Sequence, residues 1–238
     1  MTIDLNADLG EGITDDEGLL AVVTSANVAC GFHAGDEATM RAICATAAGR
    51  GIAVGAQVSY ADREGFGRRR MDPADAVLEG WVAEQVGQLG RIAGEEGTAV
   101  AYVKPHGALY NRVVHDERQA AAVLAGSGEL PVLGLADAAI LRLADQQGRR
   151  TVVEGFPDRR YTGGAPGHGT LVPRDRPGAL VTDVDEIAGN AVQLACAGVE
   201  TVCVHGDSPG AVAAARAVRR SLEEHGFGVL PWARPGPA

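Results

Sequence analysis

Residues 99–106 read AVAYVKPH, a short apolar run that ends on a lysine and a histidine. Six other short apolar runs occur along the chain, and longer stretches with helical periodicity separate them. Strand, helix and strand in alternation are typical of a parallel sheet with crossover helices, so the sequence predicts an α/β barrel. The seven predicted strands lie at residues 3–8, 26–29, 53–58, 99–103, 132–135, 152–156 and 201–204.

Capping residues mark the starts of two predicted helices. Asp72 precedes Pro73, which is the order expected for an N-cap and a first helical residue, and Gly97 should end this helix. Asp36 directly precedes a second amphipathic stretch, so we interpret it as a helix cap rather than as a catalytic group. The inward face of that second helix should carry Met40, Ile43, Cys44 and Ala47.

The last third of the chain contains two irregular stretches. Residues 158–177 are rich in Gly and Arg and too long for an ordinary connection, which predicts a lid or a substrate-binding loop. Residues 231–238 read PWARPGPA, and the prolines predict a loose tail. Further helices are predicted at 183–197 and 209–225.

Length and charge restrict the classes of function. The 238 residues, 46% of them apolar, suffice for one substantial core, so we treat residues 1–238 as a single domain. The 21 basic and 31 acidic residues give a formal net charge of −10 without a basic stripe, which argues against nucleic acid as a partner. Neither a long apolar span nor a basic leader occurs, so we predict a cytoplasmic protein with no membrane partner.

The cysteines suggest a reducing compartment. None of them forms a CxxC pair, which favours neither a zinc ribbon nor a disulfide framework. We expect four buried thiols, namely Cys30, Cys44, Cys196 and Cys203.

Polar clusters follow the predicted strands at the point where each strand ends. The carboxyl ends of parallel strands converge on one mouth of a barrel, so these clusters predict a shared polar pocket. The candidate catalytic residues are Asp8, Lys104, His106, His205 and Asp207.

Lys104 is the single lysine among the 21 basic residues. The chain otherwise uses Arg as its cation, so a lone lysine beside His106 suggests a compact ammonium whose pKa can be shifted. His205 lies similarly close to Asp207, and we interpret both histidines as functional.

Two reaction chemistries fit such a pocket. In one, an Asp and two His hold a divalent ion that polarises a carbonyl and activates water. In the other, Lys104 and His106 stabilise an oxyanion while Asp8 or Asp207 acts as general base. The sequence has no HExxH motif to decide between them. It also lacks a Walker loop and a strand-linked GxGxxG, so we expect no nucleotide to be bound in either of these ways.

Seven motifs recur in the order of a known family. They are DLNADLGEG at 4–12, SANVACGFHAGD at 25–36, GFGRRRM at 65–71, VKPHGALYN at 103–111, FPDRRY at 156–161, LVPR at 171–174 and CVHGDS at 203–208. On these motifs, which span nearly the whole chain, the sequence resembles the LamB/YcsF family.

This resemblance implies a distorted seven-stranded (β/α) barrel similar to that of carbohydrate deacetylases. It also implies a role as the A-type component of a 5-oxoprolinase, which hydrolyses the lactam of 5-oxo-L-proline to L-glutamate with ATP hydrolysis. Two further subunits would handle ATP, in agreement with the missing nucleotide motifs.

The resemblance further suggests contacts with substrate and metal. A divalent metal, if one binds, would have Asp8, His33 and His106 as ligands. The family usually has a histidine at the position of Gln57, and an amide is a poor divalent-metal ligand beside imidazole, so weak or absent binding is expected. Arg159 or Arg174 would hold the substrate carboxylate. The substrate-binding candidates are Asn6, Glu11, Asn27, His33, Ser59, Arg68, Tyr110, Asn111, Arg159 and Arg174.

Three classes of function remain open at this point. They are a component of an ATP-coupled lactamase, which we favour, a stand-alone metal-dependent deacetylase or amidohydrolase, and a non-catalytic binding subunit of a larger complex. The sequence also leaves a homo-oligomer open.

Overall fold

The computed structural model describes residues 1–13, 15–207 and 210–233. Its strands are β1 (Thr2–Leu9), β2 (Ser25–Ala29), β3 (Ala53–Val58), β4 (Val100–Pro105), β5 (Val132–Gly134), β6 (Thr151–Gly155), β7 (Thr201–Val204) and β8 (Gly228–Val229). Its helices are α1 (Asp16–Leu20), α2 (Glu37–Arg50), α3 (Asp75–Glu95), α4 (Gly107–Arg112), α5 (Glu117–Gly126), α6 (Ala139–Gln146), α7 (Val184–Cys196) and α8 (Ala211–Glu224).

The strands form a closed parallel barrel. The sheet runs in the order β2-β3-β4-β5-β6-β7-β1, and β1 also pairs with β2, which closes a ring of seven strands. The predicted seven-stranded barrel is therefore confirmed. The short strand β8 pairs with the first residues of β1, next to the amino end of the ring.

The helix caps confirm one prediction and correct another. The side chain of Asp36 accepts a hydrogen bond from the Thr39 backbone N–H at 2.8 Å and caps α2 as expected. Helix α3, however, has Ala74 as its N-cap, not Asp72. The carboxylate of Asp72 binds the guanidinium of Arg118 instead, and such a charge-assisted bond competes with capping.

The inner face of β1 is polar. Asp4, Asn6 and Asp8 alternate along the strand, and each is at most 5% exposed. Asn6 donates to the Thr201 hydroxyl at 2.7 Å, and Thr201 donates to Asp4. The intervening apolar residues pack into the main hydrophobic core. Hydrogen-bonded polar groups thus occupy the inside of the barrel, where branched apolar side chains are the common filling.

Residues 231–233 are packed where the sequence predicts a loose tail. Trp232 lies against Tyr102 with ring centroids 5.1 Å apart, and the Arg150 guanidinium covers it at 5.0 Å. Ala233 is 8% exposed. The prediction is therefore wrong for residues 231–233, because an aromatic contact outweighs the proline content; residues 234–238 lie outside the described residues.

The cysteines are free thiols, and three of them are buried as expected. Cys196, at the end of α7, is exposed, so the expectation of a buried thiol is wrong there. In the described parts of the chain, the helices are too short or too polar to cross a membrane.

Candidate active site

A cavity of about 1190 Å³ opens at the carboxyl ends of the barrel strands. Many of the polar residues predicted from separate strand ends meet here, as the barrel geometry requires. The sequence-predicted residues that line it are Asp8, Glu11, Arg68, Lys104, His106, Tyr110, Asn111, Arg159, Arg174, His205 and Asp207.

Lys104 places its ammonium inside the barrel, where the residue is 2% exposed. Nζ lies 2.7 Å from Glu154 Oε1 and 3.1 Å from Asp8 Oδ1, and it donates to Cys203 Sγ at 3.1 Å. Burial lowers the pKa of Lys104, but the neighbouring carboxylates, Asp8 above all, outweigh it and raise the pKa well above its ordinary value. Lys104 is therefore a fixed positive charge rather than a base.

The two carboxylates that flank Lys104 differ in acidity. Burial raises the pKa of Asp8, but the charge of Lys104 and of the nearby histidines outweighs it and holds the pKa well below the usual range. For Glu154 burial dominates, and its pKa is raised. An acid so firmly held in its ionised form is a weak proton acceptor, which disfavours Asp8 as the general base.

His205, directly after β7, is oriented by Asp158. The Asp158 carboxylate accepts the backbone N–H of His205 at 3.0 Å and lies 2.8 Å from ring Nδ1. In the neutral ring this contact places the proton on Nδ1 and leaves the lone pair on Nε2, which has no hydrogen-bond partner in the described structure. Burial raises the pKa of Asp158, but His205 outweighs it and the pKa is lowered. A histidine oriented in this way by a carboxylate is suited to general-base catalysis.

Asp207 does not pair with the His205 ring as the sequence suggests. Its Oδ2 lies 2.5 Å from Arg68 Nη2 and 2.9 Å from Arg174 Nη1. Burial raises the pKa of Asp207, but these two arginines and His205 lower it below its usual range. The carboxylate therefore links two cavity loops, and its low pKa disfavours the general-base role.

Glu11, His33 and His106 form a buried cluster at one side of the cavity. Their ligand-type atoms all lie within 4.8 Å of one another, close enough to hold a metal ion. Glu11 Oε1 is 3.7 Å from His33 Nε2 and 3.5 Å from His106 Nδ1. The predicted ligand set contained Asp8 in the place of Glu11. Asp8 lies against Lys104, deeper in the barrel and apart from this cluster.

Gln57 from β3 lies within this cluster. Its Nε2 is 3.2 Å from Glu11 Oε1 and 3.0 Å from His106 Nδ1. Burial, together with the neighbouring His33, lowers the pKa of His106 well below its ordinary value, so the ring is neutral. We refer to Glu11, His33, Gln57 and His106 as the histidine cluster.

The loop around Gly67 covers the histidine cluster. A Cβ on Gly67, whose φ is +67°, would lie 3.0 Å from both His33 Cβ and His106 Cδ2, so a larger residue would be strained and would require both side chains to shift. Phe66 has a φ of 56° and accepts a hydrogen bond on its carbonyl from His106 Nε2 at 3.1 Å. This backbone conformation costs an aromatic residue on the order of 1–3 kcal/mol, a strain typical of functional sites.

Arg159 is a buried cation that faces the cavity. It is 6% exposed, donates from Nη2 to the Val172 carbonyl at 2.7 Å, and has no partner for Nε among the described residues. Burial and the neighbouring Arg174 lower its pKa to about 10. Arg159 thus has donor capacity that an anionic ligand could use.

Four predicted substrate-binding residues lie below the cavity surface, namely Asn6, Asn27, His33 and Ser59. Asn27 donates to Asp8 at 3.0 Å and to Asn6 at 2.6 Å, so the two amides help to hold the Asp8 carboxylate in place. Ser59 hydrogen-bonds with His33 Nδ1 at 3.0 Å. These side chains position other groups rather than line the cavity.

Part of the long irregular stretch borders the cavity. Residues 170–176 line it, and an antiparallel bridge between Tyr161 and Leu171 folds the stretch back on itself. His168, near its tip, is exposed and outside the lining.

Sequence reasoning missed Asp158 and Glu154. Asp158 lies within the FPDRRY motif, in which only the neighbouring Arg159 had been assigned a role. Glu154 interrupts an apolar strand, and a charge inside a buried strand is an anomaly that could have marked it.

Comparison with known proteins places the chain in a family. The family model described as LamB/YcsF family matches residues 3–235. The chain belongs to the LamB/YcsF family. A relative from Streptomyces avermitilis, named as the A-type component of 5-oxoprolinase, is 54% identical over 97% of this chain and 100% of its own length. One of the same name from Paracidovorax citrulli is 48% identical over 98% and 100%.

Solved structures show the same fold. The lactam utilization protein from Thermus thermophilus superposes with a TM-score of 0.88 at 34% identity, over 97% of this LamB/YcsF chain and 99% of that one. A polysaccharide deacetylase from Bacillus cereus reaches a TM-score of 0.54 at 15% identity over 97% and 91%, a likeness of fold alone. The expected similarity to deacetylase-type barrels is thereby confirmed.

Proposed function

We infer that this chain is the A-type component of a 5-oxoprolinase and that its cavity opens the lactam of 5-oxo-L-proline to give L-glutamate. Its LamB/YcsF membership, the names of its relatives and the lactam utilization protein that it resembles support this function. The observation that links this function to particular side chains is the His205–Asp158 pair at the cavity, in which the carboxylate orients the histidine as a base for water activation.

His205 is the proposed general base. Nε2 takes a proton from a water molecule, whose oxygen attacks the lactam carbonyl carbon. The C–N bond of the ring then breaks, and the proton passes from His205 to the departing nitrogen, which becomes the amine of glutamate. Asp158 stabilises the protonated imidazole that forms between these steps.

Lys104 supplies the positive charge for the activated lactam oxygen. That oxygen carries the negative charge of its phosphoryl group, and a preoriented cation in a site with little water stabilises this charge strongly. The Asp8 and Glu154 carboxylates hold the ammonium in place, so no reorganisation is needed during the reaction.

Arg159 is the proposed partner of the substrate carboxylate. Arg68 and Arg174 already bind Asp207, whereas Arg159 has a free Nε and no ion-pair partner in the described structure. Arginine binds carboxylates through paired N–H donors, which would orient the ring above His205.

A resonance-stabilised lactam hydrolyses slowly, and we assign its activation to partners. Two other subunits would bind ATP and transfer its γ-phosphoryl group to the lactam oxygen in the cytoplasm. Ring opening of the activated lactam then leaves a γ-glutamyl phosphate, and attack of a second water on this acyl phosphate releases inorganic phosphate and L-glutamate. The missing nucleotide motifs of this chain support that division, as does the naming of its relatives as one component of several.

Reconstitution tests this function. The chain, mixed with the products of its neighbouring genes, should release glutamate from 5-oxoproline when ATP is present. His205→Asn should lower kcat by a factor on the order of 100 to 10,000 without a comparable change in KM. Failure of every mixture to release glutamate, or full activity of His205→Asn, would contradict the proposal.

A further inference from the structure

The hydrogen-bond directions in the histidine cluster follow from its surroundings. The Ser59 hydroxyl donates its single proton to the Tyr60 carbonyl at 2.9 Å, so it accepts from His33 Nδ1 at 3.0 Å. In the neutral ring, His33 Nε2 then carries the lone pair. That nitrogen is buried and has no hydrogen-bond partner among the described residues.

His106 has the opposite arrangement of its ring nitrogens. Nε2 lies 3.1 Å from the Phe66 carbonyl and must donate to it, which leaves the lone pair on Nδ1. This lone pair and the Glu11 carboxylate both face Gln57. The Gln57 side chain must therefore present its NH₂ group, because its carbonyl would meet two acceptors.

The ring geometry does not fit a metal ion held by both histidines. The His33 and His106 rings are stacked, with centroids 3.9 Å apart and planes only 14° from parallel. An imidazole lone pair lies in the plane of its ring, so an ion bound by two histidines has to lie near both planes. Two stacked planes do not share such a point.

We propose that the Gln57 amide stands in for a divalent cation in this cluster. Its two N–H groups satisfy Glu11 and His106, which a cation would otherwise do, and the cluster holds together through hydrogen bonds. Gln57 thereby determines the metal affinity of the chain: it keeps divalent binding weak, and an imidazole at the same position adds a ligand to Glu11 and His106.

Zinc binding by the full chain tests this proposal without reference to activity. The chelator-treated protein is titrated with ZnCl₂ by calorimetry as wild type, as Gln57→His and as Gln147→His. Gln147 is exposed at the end of α6, so the last variant adds an imidazole away from the cluster. Gln57→His should bind one equivalent at least roughly 10-fold more tightly than wild type, since even supporting residues of metal sites contribute that much. Gln147→His should match wild type.

Gln57→Ala gives a second measurement if the histidine variant folds poorly. Removal of the amide leaves Glu11 and His106 without a donor, so ZnCl₂ should raise the thermal midpoint of Gln57→Ala and leave that of wild type unchanged. Two results would overturn the proposal. One is wild-type binding of one zinc equivalent as tight as in Gln57→His and lost in His33→Ala; the other is an equal shift of the midpoint in all variants.

Discussion

At the scale of single residues, Lys104 shows what sequence reasoning can and cannot reach. Its status as the single lysine marks it as special, and its burial and ion pairs agree with that. Its adjacent motif partner His106, however, belongs to a different cluster. The groups that contact Lys104 come from β1, β6 and β7, and Cys203 lies 99 positions away in sequence. Spacing in a motif does not report such contacts across a barrel.

Substitution of Lys104 should destabilise the protein as well as inactivate it. Lys104→Met leaves Asp8 and Glu154 buried without a cation, and removal of one partner of a buried ion pair costs about 3–5 kcal/mol. Urea denaturation at pH 7.5 measures the loss. The double variant Lys104→Met with Glu154→Gln should recover part of it, because one fewer carboxylate is left unpaired; independent, additive losses would count against this account.

At the scale of elements, the alternation of strands was easier to predict than their inner face. The apolar runs predict all seven barrel strands within two residues of the observed bounds. The same runs did not predict that Asp4, Asn6 and Asp8 of β1 point into the barrel. Alternation of polar and apolar residues is equally typical of a strand whose polar face is exposed to solvent. Only the closed ring of strands turns that polar face inward.

The inner face of β1 predicts a dependence of stability on pH. Burial raises the pKa of Asp4 from 3.8 to about 6, so the folded state holds this proton more tightly than the unfolded chain. The ionised form therefore costs stability: the penalty is absent below about pH 4 and complete above about pH 6.

Asp4→Asn removes that ionisation and isolates its effect. The stability of this variant relative to wild type should rise between pH 4 and pH 7, by up to roughly 3 kcal/mol for a shift of about two units. The hydrogen bonds lost by the substitution add an offset that is the same at both pH values. Urea denaturation at the two pH values measures the difference, and parallel pH profiles of the two proteins would show that Asp4 does not titrate in this range.

At the scale of the whole molecule, the two ends of the barrel have different tasks. The carboxyl ends of the strands carry the cavity, while β8 and residues 231–233 pack at the opposite, amino-terminal side. A chain of contacts joins them: Trp232 lies on Tyr102, whose hydroxyl donates to Asn27 at 2.7 Å, and Asn27 donates to Asp8. Trp232 thus helps to support the buried charges, a role that the proline-rich composition of residues 231–238 does not indicate.

Trp232→Ala tests whether this terminal packing holds the barrel together. Trp232 is partly buried, so its truncation should cost about 2 kcal/mol, less than for a fully buried aromatic residue. Leu230 is 56% exposed, and Leu230→Ala is the matched control, expected to change stability by less than about 0.5 kcal/mol. Thermal or urea denaturation of the three proteins measures both effects. If the support extends through Tyr102 and Asn27, the backbone amide protons of β2 should exchange faster in the Trp232 variant than in the Leu230 variant. Equal exchange in the two variants would confine the role of Trp232 to its own end of the barrel.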